Sequence, residues 1–245
     1  MVDTREARAS ASEIKFVLDP VLGQGIREWA RTHLEADPYG TGIFGDEYRT
    51  TSLYFDTEQY DVFHRRGSFG RAKYRIRRYT DSDFVFLERK LRKPGIVVKR
   101  RTKTPLEVLH RLKQPEPEGN WPGDWFHQRL LVRGLRPVCQ ISYHRMARGT
   151  LVGGEVVRLT LDDSVGVAPI TETHFNGDHG TPILDQQLIL ELKFRGYLPA
   201  VFKRLVEEFR LDPQPASKYR YGMMALGHVP ATDEPPTPVG HNVNA

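Results

Sequence analysis

The residues of this sequence with the clearest chemical potential are cationic side chains at every second position, which could bind an anionic ligand. The spacing recurs three times in residues 71–103, at Lys73, Arg75 and Arg77, at Lys90 and Arg92 after Glu88, and at Lys99, Arg101 and Lys103. A β-strand directs alternate side chains to the same side, so each set shares one face of a strand. Residues 65–103 hold fifteen Lys or Arg and three Asp or Glu, although the whole chain has a net charge of only +5. The positive charge is therefore concentrated in one part of the chain.

Cations spaced this closely predict a site for a polyanion. Two like charges about 6 Å apart repel by roughly 3 kcal/mol at an effective dielectric of 20, and a bound polyanion would relieve that repulsion. Arginine forms paired hydrogen bonds with phosphate oxygens and lysine acts as a point charge, so phosphate suits these residue types. The alternative is an ordinary solvated face of a sheet. That alternative stays open above all for Arg101, Lys103 and Arg195.

The elements that must position these cations are strands of a single domain. In addition to three strands within the basic stretch, alternating charged and apolar residues predict strands at 13–19, 48–57, 137–148, 156–163 and 183–196. Helical spacing predicts helices at 20–35, 199–211 and 217–227. The pattern favours an α+β fold, an eight-stranded antiparallel β-barrel that forms a tunnel with a polar, basic lumen and helices packed outside. We expect a flexible lead-in, the domain and a Pro-rich disordered tail at residues 1–12, 13–228 and 229–245.

Composition excludes several classes of protein. Cys139 is the single cysteine, so no intrachain disulfide can form, and we expect a cytoplasmic protein. No apolar run approaches the eighteen residues of a membrane span. His174, Asp178 and His179 are more typical of a surface turn than of a metal site. Nucleic acid is not an expected partner, because Tyr79 and Tyr143 are the only aromatic residues assigned to the cationic face.

Nine short motifs in series give the chain a resemblance to a known family. They are EIKF (13–16), SLYFDT (52–57), KYRIRRY (73–79), FLERK (86–90), VVKRR (97–101), SYHRMA (142–147), VRLTLD (157–162), LELKF (190–194) and SKYRYG (217–222). Together they make the chain resemble the VTC-type polyphosphate polymerase domain of the triphosphate tunnel metalloenzyme superfamily. The resemblance implies an eight-stranded antiparallel tunnel lined with basic and acidic side chains, in agreement with the strand pattern.

The resemblance, together with the strand pattern, assigns roles to individual residues. The candidate catalytic residues are Arg75, Arg77, Lys90, Arg145, Arg158 and Lys218. The candidate substrate-binding residues are Lys15, Lys73, Lys99, Tyr143, Lys193 and Ser217. Glu191 would bind Mn²⁺ or Mg²⁺, because one carboxylate with phosphate oxygens is a usual arrangement for such an ion. An ion pair with a tunnel arginine is the alternative for Glu191, and Glu88 is a second acidic candidate.

A missing carboxylate favours phosphoryl transfer over hydrolysis. The hydrolytic relatives begin with Glu-x-Glu-x-Lys, where this chain has Ala11, Glu13 and Lys15. Hydrolysis benefits from a second metal or a carboxylate base, whereas a phosphate acceptor is already anionic and needs only positioning and neutralised charge. The prediction is a polyphosphate polymerase that transfers the terminal phosphoryl group of ATP to a growing polyphosphate chain.

Two other functions stay open at this point. One is a hydrolase of triphosphates or polyphosphate, in which Glu88 or Asp162 would replace the missing carboxylate. The other is a polyanion-binding module without catalysis. Because relatives work in membrane-associated complexes, the resemblance also implies a separate membrane-protein partner that would hold this chain at the periphery of a membrane.

Overall fold

The computed structural model describes residues 12–93, 96–177 and 180–229. Nearly all of the predicted lead-in and tail lies outside these ranges, as do Ala11, Asp178 and His179. Within the described ranges, no helix is both long enough and apolar enough to cross a membrane.

Ten strands and five α-helices are found along the described residues. The strands are β1 (Ser12–Leu18), β2 (Glu35–Ala36), β3 (Glu47–Asp56), β4 (Ala72–Tyr79), β5 (Phe84–Lys93), β6 (Ile96–Pro105), β7 (Arg136–Val152), β8 (Glu155–Pro169), β9 (Thr181–Pro182) and β10 (Leu188–Phe194). The helices are α1 (Pro20–His33), α2 (Asp61–His64), α3 (Asp124–Val132), α4 (Ala200–Glu208) and α5 (Lys218–Ala225). Two 3₁₀-helices lie at Gly67–Arg71 and Leu106–Lys113. β7 and β8 are longer than predicted, and the last long strand begins at Leu188 rather than at residue 183.

The helix that follows β1 begins where local chemistry favours a start. The Asp19 side chain accepts a hydrogen bond from the Leu22 backbone N–H at 2.9 Å, and Pro20 occupies the first helical position. Both features are favourable at a helix N-terminus. The short connection leaves β1 and α1 adjacent, so that α1 covers the apolar side of the sheet.

All eight long strands belong to one antiparallel sheet, as predicted. Their order is β1-β10-β8-β7-β3-β4-β5-β6, with β2 paired to β7 and β9 to β8. In the described residues no hydrogen-bonded ladder joins β1 and β6, the two ends of this order. Backbone hydrogen bonds therefore do not close the sheet into the barrel that was predicted. Instead, Lys90 Nζ of β5 lies 3.2 Å from Glu13 Oε2 of β1. An ion pair between side chains, rather than backbone hydrogen bonds, brings the ends of the curved sheet together.

The two sides of the sheet differ in chemistry. Directly paired residues of antiparallel strands project to the same side, and one side carries Lys15, Arg75 and Arg145; we call this side the lumen face. On the other side, apolar residues of β1, β8 and β10 pack with α1 and α4 in a buried core that includes Phe16, Ile26, Leu161, Leu190 and Phe202. Those two helices therefore lie outside the tunnel, as predicted.

Helix α5 is the exception, because it lies on the lumen face. Ile141 is paired with both Ser52 and Val167 in the sheet, and the Ser52 hydroxyl bonds Arg77, so all of these residues share that face. A methyl group added at Gly222 of α5 would lie 3.0 Å from Val167 Cγ2 and 3.3 Å from Ile141 Cδ1. A methyl group at this position would require these side chains to move by a few tenths of an ångström, so glycine favours the close approach of α5 to the sheet. The helix thus covers part of the lumen.

Candidate active site

The strand register places the cations of β4, β5 and β6 beside one another. Lys73 is paired with Lys90, and Lys90 with Lys99. In the neighbouring row Glu88 is paired with Arg75 on one side and Arg101 on the other. The period-two spacing of the sequence is therefore converted into a continuous cationic surface across three strands, interrupted by one carboxylate.

Glu88 is a fixed internal anion. Its side chain is almost fully buried, and its carboxylate lies 2.7 Å from Arg75 Nε, 2.9 Å from Lys99 Nζ and 3.1 Å from Arg101 Nε. Burial opposes ionisation, but the surrounding cations, Arg75 foremost, hold the pKa of this carboxyl well below its usual range. The carboxylate orients three cations toward the lumen and stays charged at any physiological pH.

Arg77 differs from its neighbours in its partners. Within the described residues its guanidinium donates to hydroxyl groups, from Nε to Ser52 Oγ at 3.1 Å and from Nη2 to Tyr143 Oη at 3.0 Å. The side chain is buried, only 5% exposed. A buried guanidinium whose hydrogen bonds go to neutral hydroxyls retains its full positive charge for a ligand.

A second internal anion, Asp162, joins β7, β8 and α5. Arg145 donates two hydrogen bonds to its carboxylate, at 2.6 and 2.7 Å, and Lys218 Nζ lies 2.5 Å away. Burial raises the pKa of Asp162, but Arg145 and Lys218 outweigh that effect and lower it. The first residue of α5 is therefore held in the lumen by charge as well as by packing.

Two further carboxylates share one ammonium group. Lys15 Nζ lies 3.1 Å from Glu13 and 2.9 Å from Glu191, while Lys193 Nζ lies 3.0 Å from the other oxygen of Glu191. Burial and Glu191 act to raise the pKa of Glu13, yet Lys15, Lys90 and Lys193 hold it at about 2. The pKa of Glu191 is likewise well below its usual range, since Lys193 and Lys15 outweigh its burial. Both carboxylates are ionised and close together.

In a comparison with models of protein families, the model of the VTC domain matches residues 10–227 of this chain. The chain belongs to the VTC domain family. No match is found among curated proteins. A proposed adenylate cyclase from Bacillus halodurans has a similar solved structure, with 13% identity, a TM-score of 0.51, and coverage of 85% of this chain and 96% of that one.

Two further solved structures are similar over most of their length. A proposed adenylyl cyclase from Hippeastrum, with a dominant triphosphatase activity, has 17% identity and a TM-score of 0.48 over 91% of this chain and 96% of its own. The PH1819 protein from Pyrococcus horikoshii has 15% identity and a TM-score of 0.48 over 89% of this chain and 100% of its own. The family match and the Bacillus structure establish that the VTC domain has the triphosphate tunnel fold.

The superfamily generally uses divalent metal ions, and the carboxylate pair of this VTC domain fits one. Glu13 and Glu191 are both ionised, and a cation, the Lys15 ammonium, already lies between them. No group of three or more potential ligands is found among the described residues. An ion bound here would therefore take most of its oxygen ligands from phosphate and water, which is how Mg²⁺ is commonly held.

The interior of the VTC domain also contains a lysine without a carboxylate partner among the described residues. Lys73 Nζ donates to Ser217 Oγ at 3.0 Å. Burial lowers the pKa of Lys73 to about 7, and Lys15, Lys90, Arg65 and Arg75 contribute in the same direction. The same hydroxyl of Ser217 accepts the Arg220 backbone N–H and caps α5. An anion bound beside Lys73 would favour the protonated, positively charged form of its amino group.

The remaining predicted site residues lie near the ends of the lumen. Arg158 is about a third exposed and contacts Tyr48 Oη at 2.8 Å and Asp37 at 2.7 Å. Arg195 pairs with the exposed Glu155 at 3.1 Å, as the solvated alternative expects. Arg101 is exposed as well, but it also contacts the buried Glu88 at 3.1 Å.

The sequence argument gave no site role to several lumen residues. Ser52, Tyr54 and Glu13 were not among the candidates, Arg101 was left open as a solvated residue, and Asp162 was considered as a replacement carboxylate and not as the partner of Arg145. Glu13 and Lys15 are two residues apart, as are Ser52 and Tyr54, so the period of the strands contained a signal for them. The count of aromatic residues on the cationic face was also too low, because Phe86 is paired with Arg77 and lies on the same side.

Proposed function

We propose that this VTC domain is a polyphosphate polymerase that transfers the terminal phosphoryl group of ATP to a growing polyphosphate chain. The observation that carries the proposal is the excess of cations on the lumen face. Among the described residues we assign twelve cations to it: Lys15, Lys73, Arg75, Arg77, Lys90, Lys99, Arg101, Lys103, Arg145, Arg158, Lys193 and Lys218. Five carboxylates accompany them: Glu13, Glu88, Asp162, Glu191 and Asp37, the last as the partner of Arg158. A chain of phosphates supplies the negative charge that this surface lacks.

The fixed carboxylates prepare the site for that charge. Glu88 holds Arg75, Lys99 and Arg101 in place before a ligand arrives. Oriented cations in a partly dry cavity stabilise developing negative charge without first having to reorganise. Arg77 and Lys73, whose hydrogen bonds among the described residues go to hydroxyls and not to carboxylates, are the cations most available to phosphate oxygens.

The protonation states support transfer rather than hydrolysis. Glu88 and Asp162, the two carboxylates that could replace the missing one of hydrolytic relatives, are buried in ion pairs and have lowered pKa values. A carboxylate whose pKa is lowered in this way is a weak base for activating water. A phosphate acceptor needs no base, because it is already anionic at neutral pH.

Glu191 and Glu13 are the residues that would hold Mn²⁺ or Mg²⁺. Such an ion, when bound, would neutralise charge on the phosphate oxygens of the donor. Lys15 and Lys193, which contact Glu191 at 2.9 and 3.0 Å, would add positive charge for the same phosphates.

The test is to incubate the purified protein with ATP and Mn²⁺, with and without a short polyphosphate primer, and to resolve products on a gel. Arg75→Ala and Glu191→Ala are the test variants, and Glu155→Ala, which removes an exposed carboxylate outside the lumen, is the matched control. We expect long polymer from the wild type and the control but not from the test variants. Orthophosphate without polymer would replace the proposal with a hydrolase. Tight polyphosphate binding with neither product would replace it with a binding module.

A further inference from the structure

Four aromatic rings on β3, β4 and β5 form a continuous series, which we call the aromatic row: Tyr48, Tyr79, Phe86 and Phe84. Successive ring centroids are 5.6 Å apart at every step, with interplanar angles of 77°, 69° and 87°. Edge-to-face contacts of this kind fix the rings relative to one another. Yet the row belongs to neither of the two apolar cores among the described residues, and all its rings except Tyr48 are partly exposed. Packing of a core does not account for these rings.

The aromatic row continues the lumen face toward one end of the tunnel. Tyr79 follows Lys73, Arg75 and Arg77 at two-residue steps along β4, and Phe86 is paired with Arg77. The contact between Lys73 and Ser217 of α5 lies at the other end of β4. Six residues of strand separate the two ends, which is about 20 Å. The row therefore lies at the opposite end of β4 from the contact between Lys73 and Ser217.

Arg101 connects the row to the phosphate-binding cations. Its Nε lies 3.1 Å from Glu88, its Nη2 donates to Tyr79 Oη at 3.1 Å, and its guanidinium lies 3.5 Å from the centroid of Phe86. Lys103 Nζ covers the neighbouring ring of Phe84, also at 3.5 Å. Both cations are exposed side chains that can rotate away from a ring or stack over a ligand lying on it.

We propose that the aromatic row is the binding site for the nucleobase of the donor nucleotide. The inference rests on the proposed use of ATP and adds the position and chemistry of the base. A nucleoside triphosphate has an anionic end and an aromatic end, and the lumen passes from buried cations to aromatic rings in the same order. The base stacks on Phe86 and Phe84, and the triphosphate extends past Arg101 toward Arg77 and Arg75.

The composition of the row also predicts how selective it is. Its polar groups are two tyrosine hydroxyls, and stacking on rings tolerates every base because every base has an aromatic face. Inorganic polyphosphate has no ring that could use the row. The row therefore distinguishes the nucleotide donor from the polymer, and it ranks purines above pyrimidines by stacking area.

Equilibrium binding of paired ligands tests the inference. The ligands are the β,γ-imido analogue of ATP, ribose 5-triphosphate and inorganic tripolyphosphate, measured by calorimetry on the wild type, Phe86→Leu and Phe86→Tyr. We expect Phe86→Leu to weaken binding of the ATP analogue by about fivefold to 150-fold, the usual worth of stacking one base. Binding of the two ligands without a base is expected to stay unchanged, and Phe86→Tyr is expected to retain the wild-type affinities.

Phe44→Leu is the matched control. The Phe44 ring is also covered by a guanidinium, that of Arg31 at 3.8 Å, but it lies on the outside of the sheet. If the wild type binds the ATP analogue no more tightly than ribose 5-triphosphate, the inference is overturned whether or not the variants fold. Equal losses for all three ligands in Phe86→Leu would overturn it as well. If the wild type binds none of the ligands, the proposed function fails and this inference fails with it.

Discussion

Substituting Asp162 by Asn tests whether the internal carboxylates hold the places that phosphates would take. The substitution keeps the size of the side chain but removes the charge that Arg145 and Lys218 share. Both cations are more than nine-tenths buried, and Asp162 itself is fully buried. The variant would therefore leave two buried cations facing each other without an anion.

The size of the effect follows from that burial. Removing one partner of a buried ion pair costs about 3–5 kcal/mol, because the remaining charge is left uncompensated. For a domain of this size, 1 kcal/mol corresponds to about 2–4 °C in Tm, so Asp162→Asn is expected to lower Tm by about 6–20 °C. Tripolyphosphate supplies the missing charge, so it should raise the Tm of the variant by more than it raises that of the wild type.

The assay is thermal unfolding followed across a titration of tripolyphosphate. Asp163→Asn is the control. Asp163 follows Asp162 along β8, so it projects to the opposite face, where it pairs with Arg27 and is partly exposed. Its loss of stability should be smaller, and tripolyphosphate should stabilise it as it does the wild type. Equal gains of Tm on adding tripolyphosphate for Asp162→Asn and the wild type would refute the reasoning, as would an unchanged Tm for the variant without ligand.

Three further predictions concern the helix-capped end of the lumen. Because burial lowers the pKa of Lys73 to about 7, tripolyphosphate affinity should fall as pH rises from 6 to 9, and Lys73→Arg should flatten the calorimetric pH profile. Burial also lowers the pKa of Lys99 to about 8, so the affinity of Lys73→Arg should keep a weak dependence on pH. A pH profile identical to that of the wild type would contradict the role given to Lys73. Since an ordinary lysine titrates near 10.5, the unfolded chain binds the extra proton between pH 7 and 10.5, and the contribution of Lys73 to stability should rise with pH across that window. Ser217→Ala removes the cap of α5 and should cost about 1 kcal/mol in denaturant unfolding, whereas Ser68→Ala, an exposed hydroxyl, should cost nothing measurable. Gly222→Ala forces a methyl group against two apolar side chains and should cost about 1–3 kcal/mol in the same experiment; a neutral result would mean that α5 lies farther from the sheet.

Local sequence could predict which side chains of the site share one face of a strand. Side chains alternate along any strand, so Lys73, Arg75 and Arg77 had to share a face wherever the strand lay. The same rule, applied one motif further, would have placed Phe84 and Phe86 on the face of Glu88. That error came from counting aromatic residues only within the cationic sets.

The pairing of distant charges could not be predicted in the same way. Asp162 meets Arg145 and Lys218 because of the register between β7 and β8 and the path of α5, and a shift of one residue would point each side chain to the other face. The contact between Lys90 and Glu13 depends on the curvature of the whole sheet. Local patterns carry no information about either, so the carboxylates looked like candidate bases rather than partners of the cations.

Helix α5 makes the two ends of the channel unequal. Ser217, which caps the helix, meets Lys73 near the start of β4, while the aromatic row includes Tyr79 at the other end of the same strand. A linear polyphosphate is chemically the same in both directions. Any difference between the fates of its two termini in the proposed reaction would therefore have to come from this asymmetry of the protein.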